Sequence, residues 1–331
     1  MKKRVLLIAI IAIVAMIGTV AFVACDKEKS NNPLVPPEPA TYRFVMPDGT
    51  PALAGASFLG GLNVEGENGI HRVNGEIVAA TSIQTEMGGE KADILIAPTN
   101  LGATLIKRGA PYKLVSVAVE GSLYIIGNPD KVDGRTEITL NDLRGKRIAS
   151  IGQNNTPDKV FRYIIDHTDV IDYSDFEVEF VADGPAAKVA LMRENNPCDF
   201  ALVGEPAATA FGTPNGGGFS ARLDLQTLWH GVGNELNFPQ ASLFVKTALA
   251  NDTQFINQLL AALNANVDWV KSNASEVAQY MKDKGSATAF PAPSIPRCGI
   301  TVLRADTQSV QQSISSYLTL MTGQDGWDVI F

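Results

Sequence analysis

Cysteine and histidine are scarce, with three of each in 331 residues. Cys25, Cys198 and Cys298 stand far apart, and no pair has the CxxC spacing of a structural zinc site. His71, His167 and His230 are scattered and lack an HExxH context. No GxSxG, Walker A or paired-carboxylate signature occurs, and no internal repeat of fixed period. Positive charge is also short: 27 Lys and Arg stand against 35 Asp and Glu, a net charge of −8. That balance argues against a nucleic-acid partner. The expectation is a protein with no catalytic residue, no metal and no cofactor.

What is present begins with Lys2-Lys3-Arg4, followed by an apolar run over residues 5–24 that carries no charge and a single polar side chain, Thr19. A positive segment followed by an apolar one reads as an export signal. At 1.5 Å per residue the run is also long enough to cross a bilayer. Ala24-Cys25 at its end resembles a bacterial lipobox, although Phe22 stands where a leucine is usual. The expectation is a signal peptide over 1–24 and lipidation at Cys25, the alternative being a retained transmembrane helix. Either places the body outside the cytoplasm, tethered to a membrane. Residues 25–40 are polar and proline-rich, as in Pro36-Pro37-Glu38-Pro39, and read as a linker.

From Thr41 the pattern changes. Short β-rich runs occur at 42–45, 77–81, 92–97, 112–119, 122–127, 147–151, 176–182, 200–203 and 241–245. Many are continuously apolar, as strands covered on both faces are. Between them lie helical stripes: Val160, Phe161, Ile164 and Ile165, then Ile256, Leu259, Leu260, Leu263, Val267 and Val270 behind the N-cap candidate Asp252. This alternation predicts an α/β fold with mostly parallel sheets.

The strand-to-helix junctions carry the chemistry. Pro47-Asp48-Gly49-Thr50-Pro51 follows the first strand, and Gln153-Asn154-Asn155-Thr156-Pro157 follows 147–151. Asp183-Gly184-Pro185 and Gly204-Glu205-Pro206 close two more strands, each placing proline where a first helical turn starts. A fifth junction, Pro98-Thr99-Asn100, uses polar caps. Ligands of open α/β sheets lie beyond such strand ends, where helix N-termini offer free N–H groups. The candidate ligand-binding residues are Asp48, Gly49, Thr50, Thr99, Asn100, Gln153, Asn154, Asn155, Thr156, Gly184 and Glu205. Trp229 joins them as an aromatic able to stack on a ring or simply to pack. The set is rich in hydrogen-bonding groups and holds no evident proton-transfer centre.

In order along the chain, Pro47-Asp48-Gly49, the segment from Ala92 to Pro98, Asp142-Leu143-Arg144-Gly145-Lys146, Asp199-Phe200-Ala201-Leu202 with Glu205-Pro206-Ala207, and Ser294-Ile295-Pro296 resemble the type II periplasmic binding proteins of the SsuA-like family. That group takes sulfonates, nitrate, taurine and thiamine precursors. The resemblance implies two α/β lobes joined by two crossings, with the ligand in the cleft. Lobe 1 is expected over 41–128 and 239–331 and lobe 2 over 129–238, with crossings near 128–137 and 231–238. It further implies a monomer that captures a small-molecule solute and passes it to an ABC transporter permease and its ATPase. Helix N-termini suit an oxyanion, whereas Asp48 and Glu205 suit the N–H groups of a heterocycle, and both remain open. Cys198 and Cys298 are expected to be free, buried thiols in different lobes. The rival readings are an enzyme of the same fold and a ligand-sensing receptor without transport.

Overall fold

The computed structural model describes residues 40–331. The leader 1–24, Cys25 and the linker up to residue 39 lie outside the described residues. The strands are β1 (Thr41–Pro47), β2 (Leu62–Gly66), β3 (Gly69–Val78), β4 (Ile94–Pro98), β5 (Tyr112–Glu120) and β6 (Leu123–Gly127). They continue as β7 (Arg147–Ile151), β8 (Glu177–Val181), β9 (Phe200–Gly204), β10 (Ala221–Asp224), β11 (Pro239–Lys246) and β12 (Ile300–Arg304). The helices are α1 (Thr50–Ala54), α2 (Ile83–Gly88), α3 (Thr99–Lys107), α4 (Thr156–Asp166), α5 (Gly184–Met192) and α6 (Ala207–Gly212). After them come α7 (Leu225–Gly231), α8 (Thr247–Ala250), α9 (Thr253–Ser272), α10 (Ala274–Asp283) and α11 (Gln308–Thr322).

Two sheets organise the body. One has the strand order β12-β5-β11-β4-β1-β3-β2, the other β10-β6-β9-β7-β8. Both are mixed rather than mostly parallel. β1 runs parallel to β3 and β4, and β7 parallel to β8 and β9. The strands that enter or leave a crossing, β5, β6, β10 and β11, pair antiparallel with their neighbours. A chain arriving from the other lobe comes from the opposite direction, so its strand runs against the βαβ units already in place.

The first crossing differs from expectation. β6 pairs with β9 in the smaller sheet, so the chain changes lobes at Gly121-Ser122, ahead of the expected 128–137. All five residues of β6 are buried, which demands a partner on each edge, and β9 and β10 supply them. Gly121 and Ser122 both have left-handed φ, +63° and +65°. A Cβ at Gly121 would lie 2.4 Å from Gln226 Cγ, so glycine is required there. Residues 129–132, expected at the crossing, form a 3₁₀ turn within the smaller lobe, where the Asn128 side chain accepts from Asp130 N. The segment 231–238 lies between β10 of the smaller sheet and β11 of the larger.

Helices form where the sequence offers a cap and a stripe. Asp252 Oδ1 accepts from Phe255 N at 2.8 Å and starts α9. Phe255, Leu259, Leu260, Leu263 and Val270 of that helix are buried against the larger sheet. Each such side chain contributes about 1.5–3 kcal/mol. Val160, Phe161, Ile164 and Ile165 do the same for α4 in the smaller lobe. Cys198 and Cys298 are free and buried, on either side of the division. Strands β2, with Asn63 and Glu65 exposed, β10 and β12 escaped the sequence reading, and β3, half solvent-facing, was read only at Ile77 and Val78, the rest of the expected 77–81 run passing into the 3₁₀ turn Ala80–Ser82. No helix among the described residues is long and apolar enough to cross a membrane.

Candidate binding site between the lobes

The expected residues lie at the ends of β1, β4, β7, β8 and β9, but the tertiary structure gives them different work. Gly49 has φ +102°, a conformation that suits glycine and turns the chain from β1 into α1. Asp48 is fully engaged: its carboxylate accepts from Gly49 N, Ser286 Oγ, Ala287 N, and the N and Oγ1 of Thr288. It therefore pins the 286–288 loop. Thr99 is buried and bonds Ser242 Oγ at 2.8 Å, fixing α3 to β11. The Asn100 carbonyl accepts from Thr104 Oγ1.

Two of the expected residues meet the opposite lobe. Thr50 Oγ1 donates to the Glu205 carbonyl at 3.4 Å. Thr156 Oγ1 lies 2.9 Å from Tyr317 Oη on α11. Two further interlobe contacts had no sequence signal, because their partners are distant in the chain. Lys159 Nζ donates to the Met321 carbonyl, and Arg297 donates to Thr209 Oγ1 at 3.2 Å.

Glu205 sits under this seam with its side chain wholly buried. Oε1 accepts from Thr209 Oγ1 at 2.8 Å and from Arg222 at 3.3 Å, and Oε2 from Thr209 N at 2.9 Å. A buried carboxylate satisfied in this way organises the first turn of α6 rather than abstracting protons. Gln153, Asn154 and Asn155 are exposed at the end of β7. Asn154 takes a left-handed φ of +59° and donates its N–H to Asp158 Oδ2. Gly184 opens α5, whose cap is the Asp183 carboxylate accepting from Ala186 N.

Trp229 is buried, and its Nε1 donates to the Leu236 carbonyl at 2.9 Å. Its ring packs on Tyr163 and Phe238 at centroid distances of 4.9 and 5.4 Å. It borders a pocket of about 390 Å³ between α4, α7 and α11, also lined by Tyr163, Asn234, Gln312, Ser313 and Tyr317. Burial pushes the Tyr317 phenol up to about 12, so it stays a neutral hydrogen-bonding group. Among the described residues no three His, Cys, Asp or Glu side chains group to hold a metal ion. The arrangement can bind through hydroxyls, amides and helix N-termini.

No protein-family model matches the chain, and no curated protein matches it in sequence. Solved structures do. An ABC transporter protein from Parabacteroides distasonis is 18% identical with a TM-score of 0.66, over 86% of this chain and 92% of that one. The periplasmic aliphatic sulphonate binding protein SsuA from Escherichia coli is 13% identical with a TM-score of 0.59, over 86% and 93%. The periplasmic nitrate-binding protein NrtA from Synechocystis PCC 6803 is 15% identical with a TM-score of 0.51, over 86% and 81%. The chain shares with them the two-lobe α/β fold of type II periplasmic binding proteins.

Proposed function

We propose that this chain is an extracytoplasmic solute-binding lipoprotein of an ABC importer. The observation that carries the reading is a body divided into two sheets by short crossings, with the helix N-terminal residues Thr50 and Thr156 meeting the other lobe. A small organic solute enters between the lobes, closure about the crossings buries it, and the permease recognises the closed form. Only a solute with higher affinity for the closed state drives that change. The shared fold of the sulphonate- and nitrate-binding proteins supports a binding role over an enzymatic one.

In this reading the leader 1–24 directs export, lipidated Cys25 anchors the protein, and residues 25–40 let a monomeric body reach the permease. The lobes are 40–120 with 239–331, and 123–224.

The test is thermal unfolding of the purified full-length chain in detergent against sulfonates, nitrate, thiamine precursors and amino acids, followed by capture of the permease from solubilised membranes. A ligand at a hundredfold excess over Kd stabilises the native state by about 2.7 kcal/mol. A hit recovered unchanged, with permease captured, supports the reading; a hit consumed on incubation replaces it with an enzyme. Cys25→Ser is expected to abolish lipid labelling, and unchanged labelling would remove the anchor.

A further inference from the structure

A histidine holds the residue through which the N-terminal linker enters β1. Ala40 donates its N–H to His71 Nδ1 at 3.1 Å, and its carbonyl accepts from Arg72 N. An imidazole that accepts at Nδ1 is neutral and carries its one proton on Nε2. That nitrogen is buried without a hydrogen-bond partner and lies 3.9 Å from Asp252 Oδ2. Both side chains are wholly buried.

The elements around the ring supply one counter-charge. On α9, Asp252 caps Phe255 N and also accepts from Glu67 N of the turn between β2 and β3. Phe255 packs edge-on against the imidazole at 5.3 Å. From β1, the Tyr42 ring lies 5.1 Å away, its hydroxyl buried and without a partner. On β2, Val64 stands opposite His71. Glu65 and Glu67 are exposed, and the neighbouring Arg72 guanidinium is held by Asn63 Oδ1 and the Gly60 carbonyl. Gly66 keeps the gap between ring and carboxylate clear: a Cβ there would lie 2.5 Å from Asp252 Oδ2 and 2.7 Å from His71 Nε2.

A second proton breaks this arrangement at one end and strengthens it at the other. It sits on Nδ1, which then meets the Ala40 N–H donor to donor, while charge draws the imidazolium to Asp252. We propose that His71 is an acid-sensitive clasp: neutral, it holds Ala40 and the linker to the body, and protonated, it pairs with Asp252 and releases Ala40. The clasp acts where the linker joins the body and is independent of any solute. Burial lowers the imidazole below its ordinary 6.5, the sign a clasp of this kind requires. The closed form refuses the proton, so the contact is complete above about 6.5 and is lost as pH falls.

Hydrogen exchange read by mass spectrometry on the full-length chain in detergent, corrected for intrinsic exchange rates, tests it. Protection of the first residues of β1 is expected to be constant above pH 6.5 and to fall by up to about tenfold per pH unit below it. Core amides of α9 are expected to remain protected throughout, which separates local opening from unfolding. Spectra of the chain labelled with ¹⁵N-histidine are expected to show His71 with its proton on Nε2 above the transition and doubly protonated below it. His71→Gln, whose amide oxygen accepts from Ala40 at any pH, is expected to give flat protection. Asp252→Asn keeps a cap and removes the counter-charge, so the onset is expected at lower pH. Wild-type β1 protection that ignores pH while the core stays folded overturns the proposal, as does a pH dependence that survives in His71→Gln. A neutral His71 ring with its proton on Nδ1 overturns it without any variant.

Discussion

The hydroxyl of Thr156, in the first turn of α4, lies 2.9 Å from the phenol oxygen of Tyr317, in the third turn of α11. The two residues are 161 positions apart and belong to different lobes. Tyr317 is almost wholly buried, so this contact is the partner its hydroxyl needs. Thr156→Val and Tyr317→Phe are each expected to cost about 1 kcal/mol, and the double variant less than the sum, because one bond is removed in all three. Urea unfolding of the four proteins measures the coupling; strict additivity would deny an interlobe bond.

Asn266 is a buried amide on α9 that completes three backbone bonds. Its Nδ2 donates to the carbonyls of Leu53 and Ala54, and its Oδ1 accepts from Ser57 N. It therefore finishes the end of α1, next to the candidate site. Asn266→Ala leaves those groups unpaired at about 1–3 kcal/mol each before relaxation. A total loss of about 2–4 kcal/mol is expected from denaturant midpoints; a change below about 0.5 kcal/mol contradicts this role.

His71 sets a pH dependence. Its side chain is fully buried, its Nδ1 accepts from Ala40 N, and Nε2 is 3.9 Å from Asp252 Oδ2. Burial lowers the imidazole below its ordinary 6.5, with Asp252 pulling the other way. The unfolded chain then binds a proton that the folded chain refuses, so stability rises with pH across that window. The contribution is complete above about 6.5 and is lost as pH falls toward the depressed folded value. His71→Gln is expected to flatten the stability profile below pH 6.5, measured by thermal unfolding. An unchanged slope removes His71 as its source.

Cys298 is an unreactive thiol. It is fully buried, and burial pushes it up to about 12. Thiolate is the reactive form, so iodoacetamide at pH 8 is expected to leave Cys298 unmodified in the folded chain and to label it in denaturant. Peptide mass spectrometry reads the difference, and rapid labelling of the native protein would contradict the packing.

The sequence by itself determined the α/β class, the two-lobe resemblance and most of the strands. Apolar runs such as Leu123–Gly127, stripes such as Leu259, Leu260 and Leu263, and prolines at helix starts are local signals. They act within a few residues, where periodicity and capping decide structure. The tertiary structure alone decided which junction residues remain available. Asp48 and Glu205 read as open carboxylates, yet loop 286–288 and Thr209 with Arg222 occupy them. Trp229 read as a ring able to stack on a ligand or simply to pack, and the fold packs it, with Leu236 and Tyr163 as its partners. Long-range contacts spend or spare a polar side chain, and only the folded chain specifies them.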